Sequence, residues 1–426
     1  MVPLMLSGAA LAEEPEEAPE IQRLQRTVED QNLLIQDLLQ RIESLEVGQE
    51  TLEVQQEKQA DWLAAGESSI PSWVEKVKLS GDLRVRYEHI DDDRKDDDRN
   101  RGRIRARLKA SAALSDELDV AIRLSTGSEV DADGSAEGDP VSGNQTFDNA
   151  WSMKNIWVSQ AYADWHPAMV EGLHVLGGKV GHPFIVPVDS ELIWDSDVNP
   201  EGGVITYHRE MEPVELFANA YGFYVIENSS DADPALWGAQ GALKFNFETF
   251  DNSAHAMAGV SYYDFTHIEG EAPLVDGDSF GNTLVGGLYE EDFNLFNIFG
   301  EVGFKVAAFD QEFPITVFGD WVQNSEASDE DTGYSFGVKL GKAKKPGQWD
   351  IRYLYKDIEQ NAVFGTFTDS DFGGGGTDAE GHEINLKYVL AKNWSLGVSY
   401  FMNDVDVEAE PEEDYERIQV DLGFKF

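Results

Sequence analysis

Apolar positions recur along this chain with two different periods, and the change from one to the other divides it. Ile21, Leu24, Val28, Gln31, Ile35, Leu38, Ile42, Leu45, Gln49, Leu52, Gln56, Gln59 and Leu63 are spaced alternately three and four apart. That is the a/d stripe of a coiled coil, with Ile or Val mostly at a and Leu at d. Glu, Gln, Arg and Asp fill the positions between, as a solvated helix face requires. The spacing predicts an α-helix about 65 Å long at 1.5 Å per residue. A single helix would leave its stripe bare, so the pattern predicts self-association. The a/d chemistry leans towards two strands, and the four Gln at core positions weaken that lean. Residues 66–71 (GESSIP) carry the helix-breaking chemistry of a linker.

From Trp73 onward the period is two. Val77, Leu79, Leu83, Val85 and Tyr87 share one face, and Lys78, Ser80, Asp82, Arg84 and Arg86 share the other. The end of the chain sets Ile418, Val420, Leu422, Phe424 and Phe426 against Arg417, Gln419, Asp421, Gly423 and Lys425. This alternation predicts sixteen strands, at 77–88, 100–113, 116–127, 153–166, 172–182, 203–209, 213–225, 236–249, 253–265, 293–309, 313–323, 332–342, 347–357, 379–390, 393–403 and 415–426. In 156–165 both parities hold apolar residues, so the lipid-facing side of that strand stays open. Connections after even-numbered strands are short, as at 114–115, 310–312 and 391–392. Those after odd-numbered strands are mostly longer and acidic, as at 129–149, 267–292 and 357–378. A soluble sandwich also alternates. Faces that stay apolar for about ten residues, short turns at one rim and long loops at the other instead describe an all-β transmembrane barrel of antiparallel strands. Sixteen strands enclose an aqueous lumen. Trp73, Tyr87, Trp151, Trp157, Trp165, Trp237, Trp321, Trp349, Trp394 and Phe426 lie near the ends of the alternating runs, which suits interfacial girdles.

Composition narrows the chemistry. The 426 residues include 81 acidic and 32 basic ones, a formal net charge of −49, and no Cys. Thiol catalysis, disulfide scaffolds and Cys-ligated metals are excluded. A nucleic-acid partner is argued against, because phosphate binding needs Lys and Arg in excess. No apolar run approaches the length of a membrane helix. Residues 1–12 (MVPLMLSGAALA) end in a small-x-small pattern of the signal-peptidase type. The predicted organisation is a signal-peptide remnant at 1–12, a coiled coil at 13–66, a linker at 67–76 and a barrel at 77–426.

One constellation stands out. Arg99, Arg101, Arg103, Arg105, Arg107 and Lys109 share one parity, opposite Gly102, Ile104, Ala106, Leu108 and Ala110. An arginine on the lipid side near midplane would cost about 2–4 kcal/mol, so this ladder must face water, with Arg84 and Arg86 beside it on the preceding strand. Other signals are weak. The run DDDRKDDD over 91–98 lacks the glycine and ligand spacing of an EF-hand. The eight His show no HExxH, although His166, His174 and His182 approach one another across a turn. Gly373–Gly376 reads as a flexible loop tip. No serine-nucleophile elbow occurs, and nothing calls for a cofactor, a metal or enzymatic activity.

Several stretches are familiar: KVKLSGDLRVRYEH, RNRGRIRARLKASAALSDELDVAIRLSTG, QAYADWHP, GGKVGHPF and IWDSDVNPEGG. They resemble a bacterial family known as putative porins, over residues 73 to 210 in detail and by pattern beyond. The tail RIQVDLGFKF, ending in Phe426, resembles the C-terminal strand that outer-membrane barrels present to their assembly machinery. The resemblance implies a homotrimeric porin among the lipids and lipopolysaccharide of a Gram-negative outer membrane, its N-terminal coil in the periplasm. It also implies that 183–202, between the fifth and sixth strands, folds into the lumen as a constriction loop. That loop carries Asp189, Glu191, Asp195, Asp197 and Glu201. Facing Arg84, Arg86, Arg101, Arg103, Arg105, Arg107 and Lys109, these carboxylates would set a transverse field across an eyelet. The alternative is a ladder that merely solvates the lumen, with the acidic loop outside. The expected function is passive diffusion of ions and small hydrophilic solutes, with a mild cation preference. Two rivals stay open: an anchor whose coil tethers the envelope to the cell wall, and a barrel that sheaths a partner protein.

Overall fold

The computed structural model describes Gln36 and residues 76–132, 135–227, 232–249, 252–308, 311–408 and 413–426. The expected coiled coil at 13–66 lies outside them, apart from Gln36. The period-two segments become strands β1 (Val77–Asp92), β2 (Arg99–Ser115), β3 (Leu118–Thr126), β4 (Ile156–Trp165), β5 (Leu173–Lys179), β6 (Glu201–Met211), β7 (Val214–Tyr224) and β8 (Ala235–Thr249). They continue as β9 (Asn252–Thr266), β10 (Phe293–Ala308), β11 (Gln311–Asn324), β12 (Thr332–Gly341), β13 (Trp349–Ile358), β14 (Ala379–Ala391), β15 (Trp394–Val405) and β16 (Glu413–Lys425). Each pairs antiparallel with the next, and β16 returns to β1 with Asp82 opposite Lys425 and Asp92 opposite Tyr415. Closure leaves no free sheet edge. Each expected strand has its counterpart, with ends shifted by a few residues. β5 stops at Lys179, short of the expected 182, because the chain leaves the wall there for the lumen.

Alternation sorts the two faces. Leu79, Leu83, Val85, Leu108, Ile122, Val260, Ile298, Val317 and Ile384 stand exposed on the outside, a belt fit for hydrocarbon. Exposed Tyr87, Trp237, Tyr262 and Tyr334 mark its long-loop margin, and Trp165, Trp349, Trp394 and Phe426 its short-turn margin. The ambiguity of 156–165 has a physical cause. The β3–β4 register shifts between Val158 and Gln160, which leaves Ser159 as a bulge. Ile156 and Val158 face out before it, and Trp165 faces out after it. One inserted residue has exchanged the parities.

The seam is tied at the last residue. Gly81 and Phe426 exchange backbone hydrogen bonds of 2.9 and 3.0 Å. A Cβ at Gly81 would meet the Phe426 ring at 2.6 Å and the Arg107 carbonyl closer still. Gly81→Val is therefore expected to weaken closure, lowering the temperature at which the folded band converts to the unfolded one on SDS gels. An unchanged conversion temperature would contradict this.

The packed core lies inside the barrel. Phe184, Leu192 and Trp194 from loop 180–200 pack on the wall residues Tyr221, Phe223, Tyr263 and Phe265, together with Val363 and Phe364 from loop 359–378. Phe184 stacks on Trp194 at a ring distance of 4.1 Å. The connection expected at 357–378 does join β13 to β14 as a long loop, and it folds back into the lumen. Its Phe364 and Phe372 are buried, and apolar side chains on a loop seek the dry part of the lumen. The reading of Gly373–Gly376 as a flexible loop tip is corrected. All four glycines have positive φ, and Gly373 and Gly376 are buried. A Cβ at Gly376 would strike the Phe280 carbonyl, so the run is needed for close packing and does not form a mobile tip.

Candidate functional site

The β1–β2 register fixes the cationic wall. Arg84 stands opposite Arg105, Arg86 opposite Arg103, Glu88 opposite Arg101 and Asp82 opposite Arg107. β16 brings Gln419 beside Glu88 and Asp421 beside Arg86. Like charges set directly opposite each other repel, so carboxylates must come from elsewhere. Glu88, 0% exposed, takes Arg417 at 2.8 Å, Arg86 at 3.4 Å and Arg103 at 3.6 Å, and also binds Arg101. Asp421 holds Arg86 at 2.7 Å.

Both inward loops supply the rest. From loop 180–200, Asp197 meets Arg105 and Arg107 at 3.0 Å each. From loop 359–378, Asp371 meets Arg86 at 3.0 Å and Arg417 at 2.8 Å. The far wall holds the loops from behind. Lys356 of β13 binds Asp369 at 3.0 Å and donates to the Glu191 carbonyl at 3.1 Å. Arg352 binds Glu383 and donates to the carbonyls of Val188 and Asp189. Ser190 donates to Asp320 at 2.7 Å. The loops also join each other, through Asp195 N–H to the Phe367 carbonyl at 2.8 Å and Ser370 N–H to the Asp195 carboxylate at 3.0 Å.

Between them remains a cavity of about 400 Å³, lined by Arg84, Arg86, Arg105, Arg352 and Lys387 and by eight carboxylates, among them Asp189, Glu191, Asp195, Asp197, Asp369 and Asp371. The loop carboxylates are in different electrostatic states. Enclosure pushes Glu191 up, to about 8, and Asp369 adds to the push. Burial, with Glu191 and Asp197 nearby, raises Asp195 well above the usual range. Burial opposes ionisation of Asp197 as well, but Arg105 and Arg107 outweigh it and hold that carboxyl low. Arg417 and Arg86 do the same for Asp371.

The expected residues are thus mostly gathered at one level, with three differences. Glu201 begins β6 and pairs with Lys179 at 2.7 Å, away from the cavity, because the chain has already rejoined the wall. Lys109 lies further along β2 and donates to the Tyr162 hydroxyl at 3.0 Å. Arg101, Arg103 and Arg107 stand in the wall without lining the cavity. Sequence reading missed Arg352, Lys356, Glu383, Arg417 and Asp421. Arg417 and Asp421 were visible as the polar parity of the last strand, and Arg352 and Lys356 as the cations of DIRYLYKD. Asp369 and Asp371 carried no signal that set them apart from the other loop acids. Of the three His expected together, His166 and His174 have rings 5.5 Å apart, while His182 packs edge-on against Phe184. His208, Glu210 and Glu215 bring ligand atoms within 4.8 Å, but Lys244 already neutralises Glu215 at 3.1 Å.

Comparison with known proteins gives the family and the fold. A family model described as "Putative porin" matches residues 92–279 and 293–426. No curated protein matches. Among solved structures, Pseudomonas putida OprB, determined at high pH, superposes with a TM-score of 0.54 at 10% identity, over 83% of this chain and 95% of that one. Salmonella typhi OmpF in complex with daunomycin gives 0.48 at 13% identity, over 82% and 97%. A mutant of Rh. blastica porin gives 0.44 at 13% identity, over 82% and 100%.

Proposed function

Because the chain belongs to the putative porin family, we propose that the cavity between the β1–β2 wall and the two inward loops is the selectivity element of an outer-membrane diffusion channel for ions and small hydrophilic solutes. The observation that carries this is the cavity's lining: Arg84, Arg86 and Arg105 on the β1–β2 wall, the loop carboxylates Asp189, Glu191, Asp195, Asp197, Asp369 and Asp371 beside them, and Arg352 and Lys387 from the far wall. Opposed charges at close range orient a polar solute, and an apolar solute finds no surface to replace its lost contacts. The wall and loop charges partly meet in direct ion pairs, so the field acts only within the remaining gap. Eight carboxyl groups against five cations line that gap, and with Glu191 and Asp195 protonated six carboxylates still face five cations, a small excess that favours cations. The interlocked loops pack against the lumenal wall, which argues against a sheath for a partner protein. Tethering through residues 13–66 and assembly as a homotrimer remain separate propositions about the rest of the chain and its self-contacts.

Planar-bilayer recording of the folded protein in a KCl gradient tests the reading. Discrete open steps with a reversal potential of cationic sign are expected, and steps in multiples of three would give the trimer. Silence from a correctly folded barrel would overturn the channel. Asp197→Asn should move the preference towards chloride. A unit charge 5 Å from the ion path changes local ion concentration about fourfold in water, so the permeability ratio should fall by about that factor or more. An unmoved reversal potential would remove Asp197 from the selectivity element.

A further inference from the structure

The lumenal cations divide into those with carboxylate partners and those without. Arg105 and Arg107 share Asp82 and Asp197. Next towards the short-turn rim stand Lys109 on β2 and Arg123 on β3, which are register partners. Neither lies within ion-pair distance of a carboxylate among the described residues. Their contacts are neutral. Lys109 donates to the Tyr162 hydroxyl at 3.0 Å, Arg123 Nε donates to Ser159 Oγ at 2.8 Å, and Arg123 Nη2 donates to Asn199 Oδ1 at 3.0 Å. In a chain with 81 acidic and 32 basic residues, two facing cations left without a carboxylate need an explanation.

The local backbone is shaped to hold them so. The bulge at Ser159 lets both Ser159 and Gln160 point inward where strict alternation would allow only one. Ser159 then receives Arg123, and Gln160 donates to Asn199 at 2.9 Å. Asn199 lies near the end of the constriction loop, so the guanidinium is anchored on two sides while its Nη1 keeps no protein partner among the described residues. Ser80 faces Lys109 across the sheet and is exposed. Two cations that are register partners, with hydroxyls on the neighbouring strands, offer the positive charge and the donors that a small oxyanion accepts.

We propose that Lys109 and Arg123, with the hydroxyls of Ser80 and Tyr162, bind the phosphate or carboxylate group of a permeating solute just past the constriction. The proposal rests on the channel reading above. Both cations keep partial contact with lumen water, so the site holds an anion and still releases it, as conduction requires. An anion that has crossed the acidic gap would be drawn onward by it.

The test uses the full chain in planar bilayers. Sodium phosphate or sodium acetate replaces sodium chloride at constant ionic strength over a KCl background. Phosphate is expected to reduce the open current in a saturable way. Lys109→Gln and Arg123→Gln are each expected to raise the half-blocking concentration about tenfold, the effect of losing a charged hydrogen bond. Lys109→Gln removes only the contact to Tyr162 and leaves the loop anchor in place, so it reads the site even if Arg123→Gln misfolds. Block by phosphate well beyond acetate assigns the site to phosphate groups; equal block assigns it to carboxylates as well. Open steps that neither anion reduces, or equal block of wild type and Lys109→Gln, would overturn the site while leaving the channel standing. Calorimetric titration of phosphate into the detergent-folded barrel reads the site without any current, so a silent bilayer would count against the channel alone.

Discussion

Glu88→Gln is expected to cost the folded barrel about 3–5 kcal/mol, the range for removing one partner of a buried charge network. The carboxylate is fully buried and faces Arg86, Arg101, Arg103 and Arg417. The amide keeps the shape and loses the charge, leaving four guanidiniums crowded at one level with only Asp371 and Asp421, among the described residues, to answer them. Replacing a whole ion network by apolar residues can be neutral, but removing its single central anion cannot, because the cations stay. The folded band on SDS gels should convert at a much lower temperature than for wild type, and urea should unfold the variant earlier. A conversion temperature within a few degrees of wild type would show that lumen water already solvates these arginines.

The second large effect is on pH. Glu191 and Asp195 both sit above the usual carboxyl range, Glu191 at about 8. Below that value the proton stays on Glu191, and the cavity is less negative than its composition states. As pH rises through 8 the carboxyl ionises, and the cation-to-anion permeability ratio should climb between pH 6 and pH 9. The linkage begins at lower pH and has the opposite consequence for stability. A carboxyl whose folded value is raised binds its proton more tightly when folded, so its contribution is full below the unfolded value of 4.5 and is lost as pH rises to about 8. The constriction should therefore loosen at alkaline pH as it becomes more cation-selective. Glu191→Gln should flatten the permeability rise. A ratio independent of pH from 6 to 9 in wild type would refute this account.

Much of the barrel was legible because lipid and water impose opposite demands on alternate residues. The parity of Arg101 to Lys109 by itself fixes the inward face of β2, since arginine on hydrocarbon is too costly to be an option. The same logic fails in loops. Nothing in the composition of 359–378 distinguishes a loop that folds inward from one that stays outside, because its acids look alike until Arg86 and Lys356 meet Asp371 and Asp369. The β4 face was illegible for a different reason: one extra residue at Ser159 resets the period, and periodicity cannot see its own phase slip. Glu201 was misplaced by two residues of strand boundary, the least determined feature of any pattern reading.

Glu88 and Arg417 lie on the first and last strands and meet only when the seam shuts. Before that moment β1 and β16 are open edges, the most dangerous surfaces a half-made sheet can have. Each then carries charged side chains on the face that will become the interior. Inward-pointing charge on an edge strand discourages pairing with a neighbouring unfinished sheet, where no complementary partner waits in register. The network that braces the finished wall thus doubles as a lock with a single key: the barrel's own opposite edge satisfies it, and the edge of another molecule leaves it unpaired.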